Sequence, residues 1–231
     1  MSKNKVFKPS GNWIIKSHVG SLEKYENIYH DSVSNPDEFW GTIAERLTWY
    51  KKWDSVSNVD YKKADIKWFL NGKLNVSYNC LDRHIEEGNG DKTAIIWEGN
   101  DPAEDKKYSY SELLIEVKKF ANVLKSNGVL KGDRVCLYMQ MIPELAIAML
   151  ACCRIGAVHS VVFGAFSADS LRDRINDSSC KILVTQDTGV RGTKDNIPMK
   201  ANADRALLET PSISSVLVVK RTGVDVKMTE G

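Results

Sequence analysis

The sequence predicts an α/β fold: a mostly parallel sheet flanked by helices on both faces, preceded by a helical, tryptophan-rich N-terminal extension. Three observations predict it. From residue 92 onward, short apolar runs alternate with stretches of helical periodicity. The runs are nearly continuous instead of alternating apolar with polar, as strands buried on both faces require. The helical stretches open on residues that cap helices and close on glycine or a polar residue.

In chain order, the first 85 residues hold Trp13, Trp40, Trp49, Trp53 and Trp68, five of the six tryptophans. Composition shifts there and divides the chain into 1–85 and 86–231. Asn35 followed by Pro36, Asp37 and Glu38 is a helix start: a cap, a proline at the first helical position, then two acids that favour the dipole. Phe39, Trp40, Ile43 and Leu47 follow at helical spacing. That is the spacing of a packed face, so these aromatics are expected to seat the extension on the body of the protein.

Beyond residue 92, TAIIWEG reads as a strand. Ser109 and Glu112 form a capping box that opens a helix with Leu113, Val117, Phe120, Ala121 and Leu124 on one face. Asn127-Gly128 is its stop. RVCLYM (134–139), AVHSVVF (157–163), KILVTQ (181–186) and SVLVVK (215–220) read as four further strands. Pro143-Glu144 starts a helix that is apolar nearly all round and therefore buried on two sides. Ser167 caps another, with Leu171 and Ile175 inward.

The whole-chain numbers narrow the function classes. The 32 basic and 30 acidic residues leave a net charge of +2. That balance argues against nucleic acid or an anionic membrane as a bulk-charge partner, so any basic site is local. The apolar run LAIAMLACC at 145–153 is too short for a bilayer span, and no apolar stretch follows the basic N-terminus as a secretory signal would. Five cysteines (Cys80, Cys136, Cys152, Cys153, Cys180) without Cys-x-x-Cys spacing read as small hydrophobes in a reducing cytoplasm. His18, His30, His84 and His159 lack metal-ligand spacing, and His159, inside a strand, reads as a core histidine. Asn75-Val76-Ser77 fits a glycosylation sequon but carries no weight without a signal. No dinucleotide fingerprint, Walker A loop, zinc-protease motif or nucleophile elbow occurs.

In parallel sheets ligands bind beyond the carboxyl ends of the strands, which singles out two loops. One is Phe163-Gly164-Ala165-Phe166-Ser167, running into a helix N-terminus that offers free N–H groups. The other is Asp187 to Lys194, where Arg191 and Lys194 flank Gly192 and Thr193. Glycines permit close backbone approach, and two cations suit a phosphate. The spacing equally serves tight turns and a solvated surface, as the Arg172-Asp173-Arg174 run does on its helix.

The stretches at 74–84, 94–102, 108–114, 120–135 and 141–177 closely resemble the AMP-forming acetyl-CoA synthetase family, within the adenylate-forming superfamily. The likeness runs from about Asn35 to the last residue. Ser77-Tyr78-Asn79-Cys80 and the Val-Val-Phe-Gly loop ending at Gly164 are features of its acetate and propionate branch. The resemblance implies the first subdomain of an adenylate-forming enzyme: 1–85 as the family's N-terminal extension and 86–231 as the first part of its AMP-binding domain, a truncated piece of a longer chain. It implies a ligase that joins acetate to CoA through acetyl-adenylate, using ATP and Mg²⁺ in the full-length enzyme; a propionate–CoA ligase and a non-catalytic CoA-binding module are the alternatives. It places Phe163, Gly164 and Ala165 at the CoA adenine and Arg191, Gly192, Thr193 and Lys194 at its phosphates. Ala165 stands where the family has a second glycine, and Lys194 where it often has arginine. The family's phosphate loop, acetate pocket and catalytic lysine lie downstream, so the chain alone is expected to retain part of the CoA site without ligase activity, and no catalytic residue is assigned within it.

Overall fold

The computed structural model describes residues 7–229; the basic residues 1–6 and residues 230–231 lie outside the described residues. The chain divides into two compact units, Met1–Leu74 and Asn75–Gly231.

The first unit carries three helices, α1 (Gly11–Lys16), α2 (Leu22–Ser34) and α3 (Pro36–Ala44), then a hairpin of β1 (Ser55–Asp60) and β2 (Asp65–Leu70). Pro36 opens α3 as expected. Asn35 stands at the N-cap position as expected, but its side chain makes no capping bond: its amide donates back to Asp31 at 3.2 Å. Leu47 falls beyond the helix end at Ala44. The aromatics pack on one another, with Trp49, Trp53 and Phe69 at 4.9, 5.5 and 5.1 Å between ring centroids. The Trp49 indole N–H donates to the Ala44 carbonyl at 2.9 Å. The hairpin escapes the sequence reading because Ser-Val-Ser-Asn-Val-Asp has no apolar run and its turn, with Ala64 at φ 53°, lacks an Asn-Gly signature.

The second unit is the predicted α/β body. Four parallel strands, β5 (Arg134–Met139), β6 (Val158–Phe163), β7 (Ile182–Gln186) and β10 (Ser215–Val219), stand in the order β10-β7-β5-β6. Successive side chains on β5 point to opposite faces. Val135, Leu137 and Met139 join the core made with α4 (Tyr110–Ser126) and α5 (Pro143–Ile155). Cys136 and Tyr138 join the core made with α6 (Ala168–Ser178) and α7 (Met199–Leu207). Both halves of the Ser109–Glu112 capping box form. Gly128 ends that helix at φ 76°, a conformation glycine adopts without strain. TAIIWEG is a strand, β3 (Thr93–Glu98), but it pairs antiparallel with β4 (Asp105–Ser109) apart from the parallel sheet.

Cys136, Cys152 and Cys180 are buried, whereas Cys80 is exposed and Cys153 partly so. Burial pushes the Cys152 thiol up to about 12. His159 is half-buried on the edge strand β6, not in the core, and burial lowers its pKa. The sequon residue Asn75 spends its amide on the Cys153 and Arg154 carbonyls at 2.9 and 3.3 Å. No helix among the described residues is long and apolar enough to cross a membrane.

Candidate functional site

At the carboxyl end of the sheet the chain leaves β5 toward β6 and leaves β7 toward β10, so the connections diverge between two neighbouring strands. Such a divergence opens a crevice in parallel sheets. Here it holds a cleft of about 490 Å³, lined by the end of β3, the segment after β5, the loop after β6 and the segment after β7.

The loop after β6 is a tight turn in which the Phe166 N–H donates to the Phe163 carbonyl at 3.0 Å. The hydroxyl of buried Tyr138 donates to the Phe166 carbonyl at 2.8 Å and fixes the turn from beneath. A β-carbon on Gly164 would lie 3.0 Å from the Met199 methyl and 3.2 Å from the Met139 carbonyl, so close approach is the reason for glycine here. Phe163 is left 53% exposed at the cleft, an aromatic face offered to solvent. Phe166 sits edge-on to it at 6.2 Å, and the Arg174 guanidinium covers the Phe166 ring at 4.4 Å. Arg174 is therefore a stacking residue and not only part of a solvated face. Ser167 caps α6 through the Ser170 N–H. It does not line the cleft, so the helix start is not brought to the site.

The segment after β7 is a hairpin where the sequence suggested a loop: β8 (Gly189–Arg191) and β9 (Lys194–Ile197) pair antiparallel, with Gly192 at φ 58° in the turn. The pairing sets Arg191 directly opposite Lys194. Among the described residues neither makes an ion pair, and like charges opposed across a strand pair destabilise it. Phe163, Gly164, Ala165, Arg191 and Lys194 all line the cleft, whereas Gly192 and Thr193 form the hairpin tip and do not.

Residues to which sequence reasoning gave no role build this site. Gln140 docks the hairpin: its carbonyl oxygen accepts the Val190 N–H at 3.0 Å and its amide donates to the Val190 carbonyl at 3.3 Å. Asn100 grips the tip, accepting the Gly192 N–H at 2.7 Å and donating to the Gly192 carbonyl at 2.9 Å. Trp97 forms a wall, its indole N–H on the Met141 carbonyl at 2.8 Å and the Arg221 guanidinium 5.2 Å from the ring centroid. Arg221 is itself held by Glu104 through two 2.6 Å hydrogen bonds, so it is not a free cation. Asp187 anchors the backbone behind. Burial would raise its carboxyl, but N–H groups of Thr188, Thr222, Gly223 and Arg221 outweigh that and hold it below the usual carboxylate range. Glu98 brings one carboxylate to the rim. Only the placement of Asn100 and Trp97 within a strand-and-turn run could have drawn attention to them in the sequence. Their partners lie dozens of residues away. No group of three or more His, Cys, Asp or Glu side chains able to hold a metal occurs among the described residues.

What the site has is an exposed ring, a close-packed glycine turn and, on a docked hairpin, two cations without an ion pair among the described residues. Residues 81–230 match the family model described as AMP-binding enzyme, and residues 25–80 match the acetyl-coenzyme A synthetase N-terminus. The chain is 51% identical over its whole length to acetyl-coenzyme A synthetase of Magnetococcus marinus, covering 36% of that protein. It is 58% identical over 88% of its length to the enzyme of that name from Rubrobacter xylanophilus, covering 31%. Against acetyl-coenzyme A synthetase 2 of Pseudomonas putida it is 54% identical over 90%, covering 32%. The chain thus spans about a third of the length of the curated relatives it matches.

Proposed function

The chain belongs to the AMP-binding enzyme family, with an acetyl-coenzyme A synthetase N-terminus ahead of its AMP-binding region, and on that premise we propose that it forms the part of an acetate–CoA ligase that receives CoA. The whole enzyme would convert acetate, ATP and CoA to acetyl-CoA, AMP and pyrophosphate through acetyl-adenylate, with Mg²⁺ accompanying the nucleotide. In that enzyme residues 1–85 are the extension and residues 86–231 the opening part of the AMP-binding domain.

The observation that carries this reading is the Arg191–Lys194 pair. Two cations held opposite each other without an acid between them cost stability, and a polyanion bridging them removes that cost. CoA offers a 3′-phosphate and a pyrophosphate for the cations, and an adenine for the exposed ring of Phe163 and the turn at Gly164 and Ala165. Aromatic faces stack on any base. Gly192 and Thr193 complete the segment as the tip that sets the cations' spacing.

The test is a calorimetric titration of the chain with CoA and with 3′-dephospho-CoA. CoA binding should weaken when the 3′-phosphate is removed. Arg191→Ala should weaken CoA about tenfold to a hundredfold, the range of one lost charge-assisted hydrogen bond, and should narrow the gap between the two ligands. Equal affinity for both, unchanged by Arg191→Ala, would reject the assignment of these cations to phosphate.

A further inference from the structure

We propose that Asn100 is a positioning residue for the anion site, acting as the catch that holds the tip of the β8–β9 hairpin over the cleft. This rests on the reading of that cleft as a CoA site and adds to it a residue that no cation or aromatic pattern marks.

The hairpin is fixed at two points. Its base is docked on Gln140 through Val190. Its tip, Gly192, would otherwise project with both cations on their long side chains. Asn100 closes a reciprocal pair with it: the Gly192 N–H donates to Asn100 Oδ1 at 2.7 Å and Asn100 Nδ2 donates to the Gly192 carbonyl at 2.9 Å. The two residues are 92 positions apart in sequence, so the pair is a tertiary contact and not a turn preference. An amide side chain offers a separate donor and acceptor, side by side and with no net charge. A carboxylate in its place would accept from Gly192 but would also set a negative charge beside Arg191 and Lys194 and compete with the ligand. An aliphatic residue would release the tip. The turn that carries Asn100 is itself closed by the Gly99 N–H on the Glu104 carbonyl at 2.7 Å, and Glu104 is locked to Arg221. The catch is therefore mounted on a braced loop. Asn100 is exposed, and nothing in the core depends on it. Its exposed amide would be idle were the tip meant to swing.

Preorganisation of this kind raises affinity by removing an ordering cost at binding. Asn100→Ala should therefore weaken CoA about tenfold while leaving the melting transition nearly in place. Asn100→Asp should bind more weakly than Asn100→Ala at low ionic strength, with the gap closing at high salt as the new charge is screened.

The deciding experiment titrates CoA into the wild-type chain, Asn100→Ala, Asn100→Asp, Arg191→Ala and the Asn100→Ala/Arg191→Ala pair, with hydrogen exchange at the Gly192 amide read in parallel. Loss of Gly192 protection in Asn100→Ala, together with a double variant no weaker than Arg191→Ala by more than about twofold, supports the catch. Wild-type binding that Asn100→Ala leaves within twofold, or strictly additive losses, overturns the catch alone. A cooperatively folded wild-type chain with no CoA binding overturns the CoA reading, and this assignment with it.

Discussion

Trp49, Trp53 and Phe69 in the first unit and Val135, Leu137 and Met139 in the second are apolar triplets of similar importance to their surroundings, yet they are buried in different ways. The β5 triplet is sealed, each residue at most 1% exposed, because helices α4 and α5 cover that face of the sheet. The aromatic triplet is held by ring edges meeting ring faces, and Ala44 alone among the described residues of its unit is buried. A sheet core draws its stability from volume removed from water, and an aromatic cluster draws its own from pairwise geometry. The first is lost by a cavity and the second by a missing partner.

The largest effect expected follows directly. Leu137→Ala should cost about 2–5 kcal/mol, the range for a fully sealed aliphatic truncated to alanine, read as a lower urea midpoint by far-UV circular dichroism. Trp49→Ala removes two ring pairs, each worth about 0.5–1.5 kcal/mol beyond area. It should cost less, read by tryptophan fluorescence, since five of the six tryptophans precede residue 85. A Trp49→Ala loss exceeding that of Leu137→Ala would show that the first unit has a core as consequential as the sheet's. Next in size is Asp187→Asn, which keeps one acceptor but loses the charge that gathers the N–H groups of Thr188, Thr222, Gly223 and Arg221. It should cost about 1–3 kcal/mol at neutral pH. The folded-state pKa of Asp187 is depressed, so its contribution is present above the unfolded value of about 3.9 and is lost as pH falls through the folded value. The gap between wild type and variant should therefore hold from neutral pH down to about 4 and close below it. A gap independent of pH would mean that the carboxylate's charge is not what organises that turn.

The parallel body was legible in the sequence because its signals are local. RVCLYM, AVHSVVF, KILVTQ and SVLVVK declare buried strands by composition alone, and Ser109, Gly128, Pro143 and Ser167 punctuate the helices between them. The hairpins were not legible. β1, β8 and β9 are short, largely polar strands whose stability comes from pairing and docking, and residues such as Lys194-Asp195-Asn196 carry no apolar period to betray a strand; β2, with Ile66, Trp68, Phe69 and Leu70, has apolar residues but no strict alternation to mark it. At the candidate site, composition and family likeness brought out the residues that line the cleft: Phe163, Gly164, Ala165, Arg191 and Lys194. The residues that hold those in place, Gln140, Asn100 and Tyr138, stayed hidden because their contacts span 26 to 92 positions.

That division between facing and holding residues can be probed at Gly189, where the expected change in stability is the smallest. A β-carbon there would lie 2.5–2.8 Å from the Gln140 side-chain amide. Gly189→Ala must therefore push that amide aside and undo its two hydrogen bonds to Val190. The freed amide ends a flexible side chain outside the packed core and rebonds to water, so the cost to folding should be about 1 kcal/mol, the lower end for two net hydrogen bonds. In a domain of this size that is a melting shift of about 2–4 °C. CoA affinity should fall further in proportion, about tenfold, because the displaced hairpin carries both cations. Equal CoA affinity in Gly189→Ala and wild type would mean that the hairpin finds its place without Gln140, and that the catch at Asn100 suffices to hold the cations by itself.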